Sequence, residues 1–298
     1  MPVYKGIVLA GGSGTRLYPA TRSVSKQLLV VYDKPMIYYP IATLMLAGIT
    51  EILVITTPQD QEAYRSLLGD GSQWGLKFSY VAQAKPEGLA QAFTLGREFL
   101  DGAPAALTLG DNLFFGHGFT SLLREATSRQ DLATVFLYQV SDPQRYGVAE
   151  FDPDGGISRV VEKPVNPPSR WAVTGLYFFG PEVTEVAGGV KKSARGEYEI
   201  TEVINHYISA KQIRGIKMGR GYAWLDTGTP EALLQASQFV GTIESRQGMK
   251  VACLEEIAYN LELISRDTLR QILQDKQDIP YYKYVLDLVE AGGPVPIV

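Results

Sequence analysis

The chain has 298 residues, 45% of them hydrophobic, with 28 Lys and Arg against 32 Asp and Glu and a formal net charge of -4. Such a composition supports a full core with room for one large domain or one and a half, and it excludes general disorder and the cationic field of a nucleic-acid binder. The single cysteine, Cys253, leaves no internal disulfide, and the longest apolar stretch, residues 35–49, is too short for a bilayer span and contains Pro40 and Thr43.

A small-molecule substrate, no membrane, no nucleic-acid partner and a reducing cytoplasm are therefore expected, since the apolar run at residues 6–10 lacks the length and flanks of a secretory signal. Through the first half, β-rich runs at residues 5–9, 52–56, 78–81, 105–109 and 134–138 alternate with helix-length segments. The alternation predicts an α/β fold, a Rossmann-like, mostly parallel sheet flanked by helices. The apolar positions of these runs are continuous, as for strands covered on both faces, and the first run is expected to be central. Ligands in such sheets bind beyond the carboxyl ends of the strands, so motifs directly after the runs are the first site candidates.

The first run leads into Leu9-Ala10-Gly11-Gly12-Ser13-Gly14-Thr15-Arg16-Leu17. Its glycines permit positive φ and close backbone approach, so successive amides can converge on phosphate oxygens, and Arg16 adds a fork of donors. Leu9, Gly11, Gly12, Ser13, Gly14 and Thr15 are thus candidate nucleotide-binding residues. A Walker A loop would end in Gly-Lys-Ser/Thr, and the dinucleotide fingerprint would place glycine where Leu17 stands, so neither ATPase nor dehydrogenase is favoured. A plain strand-to-helix turn would use the same glycines.

Next come Pro19, Ala20 and Thr21, then Ser25-Lys26-Gln27 and Lys34-Pro35-Met36. Together with the loop they resemble the sugar-1-phosphate nucleotidyltransferases, whose signature is Gly-x-Gly-Thr-Arg-Leu followed by a lysine roughly ten residues on. The resemblance runs over essentially the entire chain and is nearest to members that use dTTP and glucose 1-phosphate. It implies attack of the sugar phosphate on the α-phosphate with Mg2+ and loss of pyrophosphate, the first step towards deoxysugars of the dTDP-L-rhamnose type. Arg16 and Lys26 become the expected catalytic residues. A uridylyl- or cytidylyltransferase acting on a hexose 1-phosphate is an alternative within the same chemistry. A catalytically silent sugar-nucleotide sensor is another, although it could have dispensed with Arg16, Lys26, Asp111 and Asp226. Val30 departs from the family, which usually carries proline there.

Gln83 follows the third run, and its amide offers a donor and an acceptor to a base edge; Gly88, beyond Pro86, leaves room for a backbone contact. By resemblance both face the thymine. The run at 105–109 ends in Asp111, and the later run 222–225 ends in Asp226. Mg2+ takes one or two carboxylates and completes its shell with phosphate and water, although an Asp after a strand more often makes a local turn. Resemblance makes both aspartates metal ligands, Asp111 also touching the nucleotide. Only His117 and His206 are present, too little for zinc chemistry or a Ser-His-Asp triad.

After residue 139 the segments shorten, and residues 147–161 read as a hairpin around an Asp-Gly turn, the start of an inserted, β-rich sugar-binding lobe over about 140–220. A sugar phosphate needs acceptors for hydroxyls and cations for phosphate, and Glu162 beside Lys163, at a strand end before Pro164, supplies one of each. Resemblance adds Tyr146, Gly147, Thr174, Tyr177 and Arg195 to this pocket. Thr229 and Pro230 then start a helix. The expected division is a catalytic domain over 1–247 and a helical C-terminal subdomain over 248–298. Resemblance further implies a homotetramer with a regulatory nucleotide site near Gly116, His117, Lys250, Glu256 and Ile257, inhibited by dTDP-L-rhamnose. Otherwise Phe114, Phe115, Phe119 and Cys253 simply fill the core.

Overall fold

A computed structural model describes residues 3–12 and 14–291. Ser13 of the glycine-rich loop, and the end of the expected C-terminal subdomain at 292–298, lie outside the described residues. The chain runs through β1 (Lys5–Ala10), a small hairpin of β2 (Val30–Val31) and β3 (Lys34–Pro35), α1 (Tyr38–Leu46), β4 (Glu51–Thr56), α2 (Gln61–Leu68), β5 (Lys77–Ala82), α3 (Gln91–Leu95), α4 (Arg97–Leu100), β6 (Ala105–Leu109) and β7 (Asn112–Gly116). It continues through α5 (Phe119–Ser128), β8 (Ala133–Gln139), β9 (Gly147–Phe151), β10 (Ile157–Glu162), β11 (Trp171–Phe179), α6 (Val183–Gly189), α7 (Ile200–Ser209), β12 (Ile213–Met218) and β13 (Tyr222–Asp226). Four helices follow: α8 (Pro230–Gln247), α9 (Leu254–Asn260), α10 (Arg266–Leu273) and α11 (Pro280–Glu290).

The main sheet has the order β10-β9-β11-β6-β1-β4-β5, with β8 branching from β11 and β12 pairing with β8. β1 lies between β4 and β6 and is parallel to both, the central position expected for the first run. From β5 to β6 the sheet is parallel; beyond β6 it turns antiparallel because β11 runs back along β6. The run at 134–138 therefore does not extend the parallel series. It is β8, antiparallel to β11 and parallel to β12. The expected hairpin is present as β9 and β10, closed where Asp152 Oδ1 accepts the backbone N–H of Gly156 at 2.7 Å. It prolongs the main sheet rather than forming a sheet of its own.

Both faces of the parallel strands are covered, which is why their sequences show no polar alternation. Ile7, Leu53, Ile55 and Leu107 face a cluster with Phe93, Phe179 and Ile204 on one side. Val8, Ile52 and Val54 face Ile41, Met45, Trp74 and the C-terminal helices on the other, through Leu254, Leu269 and Val285. Residues 35–49 do contribute a buried helix, but α1 starts only at Tyr38, since Pro35 is spent opposite Val30 in the hairpin. Val30 itself is 56% exposed. For α8, Thr229 Oγ1 accepts the Ala232 N–H at 3.2 Å, Pro230 sits at the first helical position, and Gly248 ends the helix with φ 69°. Among the described residues no helix is long and apolar enough to cross a membrane.

Candidate active site

A cavity of about 460 Å³ opens at the carboxyl ends of β1, β5 and β6. From the glycine-rich loop, Leu9, Gly12 and Arg16 line it. Gly11 packs under Gln83, where a Cβ would stand 2.3 Å from Oε1, and Gly14 takes φ 59° ahead of the turn that brings Arg16 to the cavity. Lys26 is 6% exposed, and its ammonium meets Asp111 Oδ2.

The second carboxylate arrives through a separate ribbon. β7 and β13 pair antiparallel with Asp226 opposite Asn112. Thr227 reinforces the junction by donating from its N–H and its Oγ1 to the Asp111 carbonyl at 3.1 and 2.8 Å. Arg145 approaches Asp226 Oδ2 at 3.7 Å, and a Cβ on Gly228 would sit between Asp226 Oδ1 at 2.9 Å and Arg16 at 3.2 Å. Two carboxylates and three cations thus converge. Burial, and then the nearby charge of Asp111, push the Asp226 carboxyl above its ordinary range, against the pull of Lys26, Arg16 and Arg145. Such a pair is what a hard cation with few protein ligands would relieve. Among the described residues no group of three or more His, Cys, Asp or Glu is arranged so that it could hold a metal ion, so a zinc-type cage is not on offer.

Asn112 ties these elements together. Its Oδ1 accepts Trp224 Nε1–H at 2.6 Å and the Gly175 N–H at 3.1 Å, while its Nδ2 donates to Asp111 Oδ1 at 2.9 Å. Gly175 has to be glycine here, because a Cβ would come within 2.4 Å of Asn112 Oδ1.

On the far side, Glu162 ends β10 opposite Gly147 and Lys163 follows with φ 40°, so both side chains reach the cavity although adjacent in sequence. Tyr146 and Tyr177 line the same wall. Burial, then the Glu199 charge, raise the Glu162 carboxyl, while Lys163 and Arg195 pull it down. Arg195 is held by Glu162 at 3.2 Å, Glu197 at 3.2 Å and Glu199 at 3.3 Å. Thr174 is wholly buried and does not line the cavity, whereas Val173, Gly175 and Tyr177 do. Side chains along a strand alternate between faces, and that of Thr174 points to the face opposite Val173 and Gly175.

The residues suggested for regulation lie elsewhere. Gly116 ends β7 against Tyr222, His117 follows it, and Ile257 is 5% exposed. Lys250 is engaged internally by Asp33 and by Glu244 at 3.1 Å, and its ammonium lies 5.0 Å from the Tyr281 ring centre. Glu256 accepts the Tyr284 hydroxyl at 2.9 Å, and burial pushes its carboxyl up to about 7. Phe114, Phe119 and Cys253 are buried in the core, as their apolar character alone would give. Trp224, Glu199, Asn112 and Arg145 line the cavity and Gln91 stands behind Gln83, although sequence reasoning did not single them out; the pairing of β7 with β13 is what brings Asn112 and Trp224 together.

Comparison with known proteins agrees with this geometry. The nucleotidyl transferase family model matches residues 5–242. A glucose-1-phosphate thymidylyltransferase of Xanthomonas campestris pv. campestris (strain B100) is 52% identical over 289 residues, covering 97% of this chain and 98% of that one. A solved structure from Bacillus anthracis in complex with a sucrose is 38% identical, with a TM-score of 0.74, over 80% of this chain and 95% of that one. A UDP-glucose pyrophosphorylase complexed with UDP-glucose is 27% identical, with a TM-score of 0.71, over 81% of this chain and 99% of that one.

Proposed function

The chain belongs to the nucleotidyl transferase family, and within it to the glucose-1-phosphate thymidylyltransferases, and on that premise we propose that its cavity joins dTTP and glucose 1-phosphate into dTDP-glucose with release of pyrophosphate. The observation that carries the reading is the convergence of Arg16, Lys26, Asp111 and Asp226 at one end of a cavity whose other end carries Glu162 and Lys163.

In this reading a phosphate oxygen of glucose 1-phosphate attacks the α-phosphorus of dTTP, the bond to the β-phosphate oxygen breaks opposite, and the electron pair leaves with pyrophosphate. No enzyme group is acylated or phosphorylated. The loop amides and Arg16 hold the triphosphate, and Lys26 opposes the charge that builds on the departing pyrophosphate. Gln83 and Gly88 face the base. Glu162 accepts from sugar hydroxyls, Lys163 and Arg195 hold the sugar phosphate, and Tyr146, Gly147 and Tyr177 shape the pocket. Asp111 and Asp226 would hold a divalent cation, Mg2+ by the hardness of the donors, which when bound screens the phosphate charges. Phosphorus NMR of a mixture of chain, Mg2+, dTTP and glucose 1-phosphate should show free pyrophosphate and a new diphosphate diester growing together. Hydrolysis of dTTP without the diester would sink the reading.

Lys163→Ala is expected to raise KM for glucose 1-phosphate by roughly tenfold or more, the size of one charge-assisted hydrogen bond, with a smaller change for dTTP. Initial-rate kinetics in both substrates decide this, and weakening of dTTP alone would place the sugar phosphate elsewhere.

The supply of dTTP fits a cytoplasmic enzyme. We also propose a homotetramer whose second nucleotide site, near His117 and residues 250–257, lets dTDP-L-rhamnose inhibit. Gly116 is a poor place to test this, because a Cβ there would meet Tyr222 at 2.4 Å and the Gly221 carbonyl at 2.8 Å, disturbing the strand that carries Asp226. His117→Ala is expected to relieve inhibition with the KM values for dTTP and glucose 1-phosphate held, and calorimetry on the unaltered chain should count more than one nucleotide per chain. One nucleotide per chain, with inhibition fully overcome by dTTP, would confine dTDP-L-rhamnose to the active site.

A further inference from the structure

Gln83 is 3% exposed and its backbone N–H is held by the Thr56 carbonyl at 2.7 Å, which anchors the main chain and leaves the orientation of the side-chain amide to that amide's own partners. One end of that amide is committed: Nε2 donates to Gln91 Oε1 at 2.6 Å. The Gln91 amide is in turn fixed by Glu87 at both of its ends. The Glu87 backbone N–H, which can only donate, points to Gln91 Oε1 at 3.3 Å, and the Glu87 carboxylate, which can only accept, takes Gln91 Nε2 at 3.3 Å. Glu87 is itself held, its carbonyl by the Tyr198 N–H at 2.7 Å and its carboxylate by Lys192. Because the Gln91 atom facing Gln83 is an acceptor, the Gln83 atom facing it has to be the NH2. The Gln83 carbonyl is thereby sent to the other end, over Gly11 and the start of the phosphate loop.

We propose that Gln91 and Glu87, neither of which need touch the base, are positioning residues for nucleotide specificity: they hold the Gln83 amide with its carbonyl towards the base, so that the site selects a pyrimidine-2,4-dione over cytosine. The inference rests on the reading of Gln83 as the base contact. Uracil and thymine present an N3–H donor beside a carbonyl, whereas cytosine presents an N3 acceptor beside an amino group. A freely turning glutamine amide would satisfy either by rotating its terminal torsion. Here a flip would set the Gln83 carbonyl against the Gln91 carbonyl, leaving two acceptors face to face and a buried pair unmade.

The test compares dUTP with dCTP, which differ only at N3 and the C4 substituent, in the full-length enzyme with glucose 1-phosphate. The unaltered chain should favour dUTP in kcat/KM by roughly 10³-fold or more, as sites that hydrogen-bond a substrate edge do. Gln91→Met keeps the volume but frees the Gln83 amide, and should cut that ratio at least tenfold, mainly through a gain with dCTP. Gln91→Lys can only donate and should cut it further by drawing the Gln83 carbonyl to itself. Glu87→Ala, at a half-exposed position that tolerates truncation, should lower the ratio by a smaller factor because the backbone donor remains. Equal losses for dUTP and dCTP in all three variants, with the ratio unchanged, would overturn the proposal. Gln83→Leu separates that failure from a misplaced base: if it leaves dUTP use untouched, the base does not sit at Gln83 and the site reading itself is wrong.

Discussion

Asp111→Asn and Asp226→Asn are each expected to lower turnover by roughly 10²- to 10³-fold while leaving the fold intact. The two carboxylates are brought together by the pairing of β7 with β13, and burial plus mutual repulsion keep the Asp226 carboxyl above its ordinary range. Groups held in such an arrangement cost stability rather than supply it. Neutralising Asp226 should therefore leave the melting temperature unchanged or slightly raised, because it removes a buried like-charge contact. Asp111→Asn differs in one respect, since it takes away the partner of the buried Lys26 ammonium, and a small loss of stability is expected there. Turnover in each variant, with thermal unfolding alongside and a chelator control on the unaltered chain, decides the matter. Full activity in both variants, or in chelator, would remove the carboxylate pair and its cation from the mechanism.

Arg16→Ala and Lys26→Ala carry the second large expectation, a fall of roughly 10²-fold or more in kcat with a lesser change in KM for dTTP. Negative charge migrates onto the leaving pyrophosphate as the α-phosphorus is attacked, so cations aimed there bind the transition state better than the ground state. Arg16 lies against Gly228 beside Asp226, and Lys26 against Asp111, which places both cations at the acidic end of the cavity. A rise in KM for dTTP at unchanged kcat would mean that they only anchor the triphosphate.

The elements that could be read from the sequence are those whose chemistry is local. The glycine loop, Gln83 and Asp111 each follow a short apolar run directly, and strand ends on one side of a parallel sheet are where ligands bind. Thr229 and Pro230 announced α8 because a cap and a first-turn proline need only their neighbours. The reversal at β11 was not legible, since an apolar run buried on both faces reads alike in either direction. Which of two adjacent residues, Val173 or Thr174, faces the cavity was not legible either, since a register shift between Val173 and Tyr177 in the β11–β8 pairing cannot be seen in the residues. Arg145 and Asn112 act through partners far along the chain, Arg145 through Asp226 and Asn112 through Trp224 and Gly175, whereas Glu199 and Gln91 meet near neighbours in sequence through side-chain geometry that no motif marks. Lys250, named for the regulatory site by resemblance, is spent on Asp33 and Glu244, partners that nothing near it in the chain except Glu244 announces.

Dependence of the rate on the identity of both substrates tests the central claim most directly. Pyrophosphate release is measured with dTTP, UTP, CTP, ATP and GTP, each against glucose, galactose and mannose 1-phosphates and against no sugar. The highest kcat/KM is expected for dTTP with glucose 1-phosphate, some activity for UTP because a methyl group distinguishes bases by only ~1 to 3 kcal/mol, and none without a sugar phosphate. Pyrophosphate formed equally well without a sugar phosphate, or formed from no combination at all, would contradict the assignment of this cavity to dTDP-glucose synthesis.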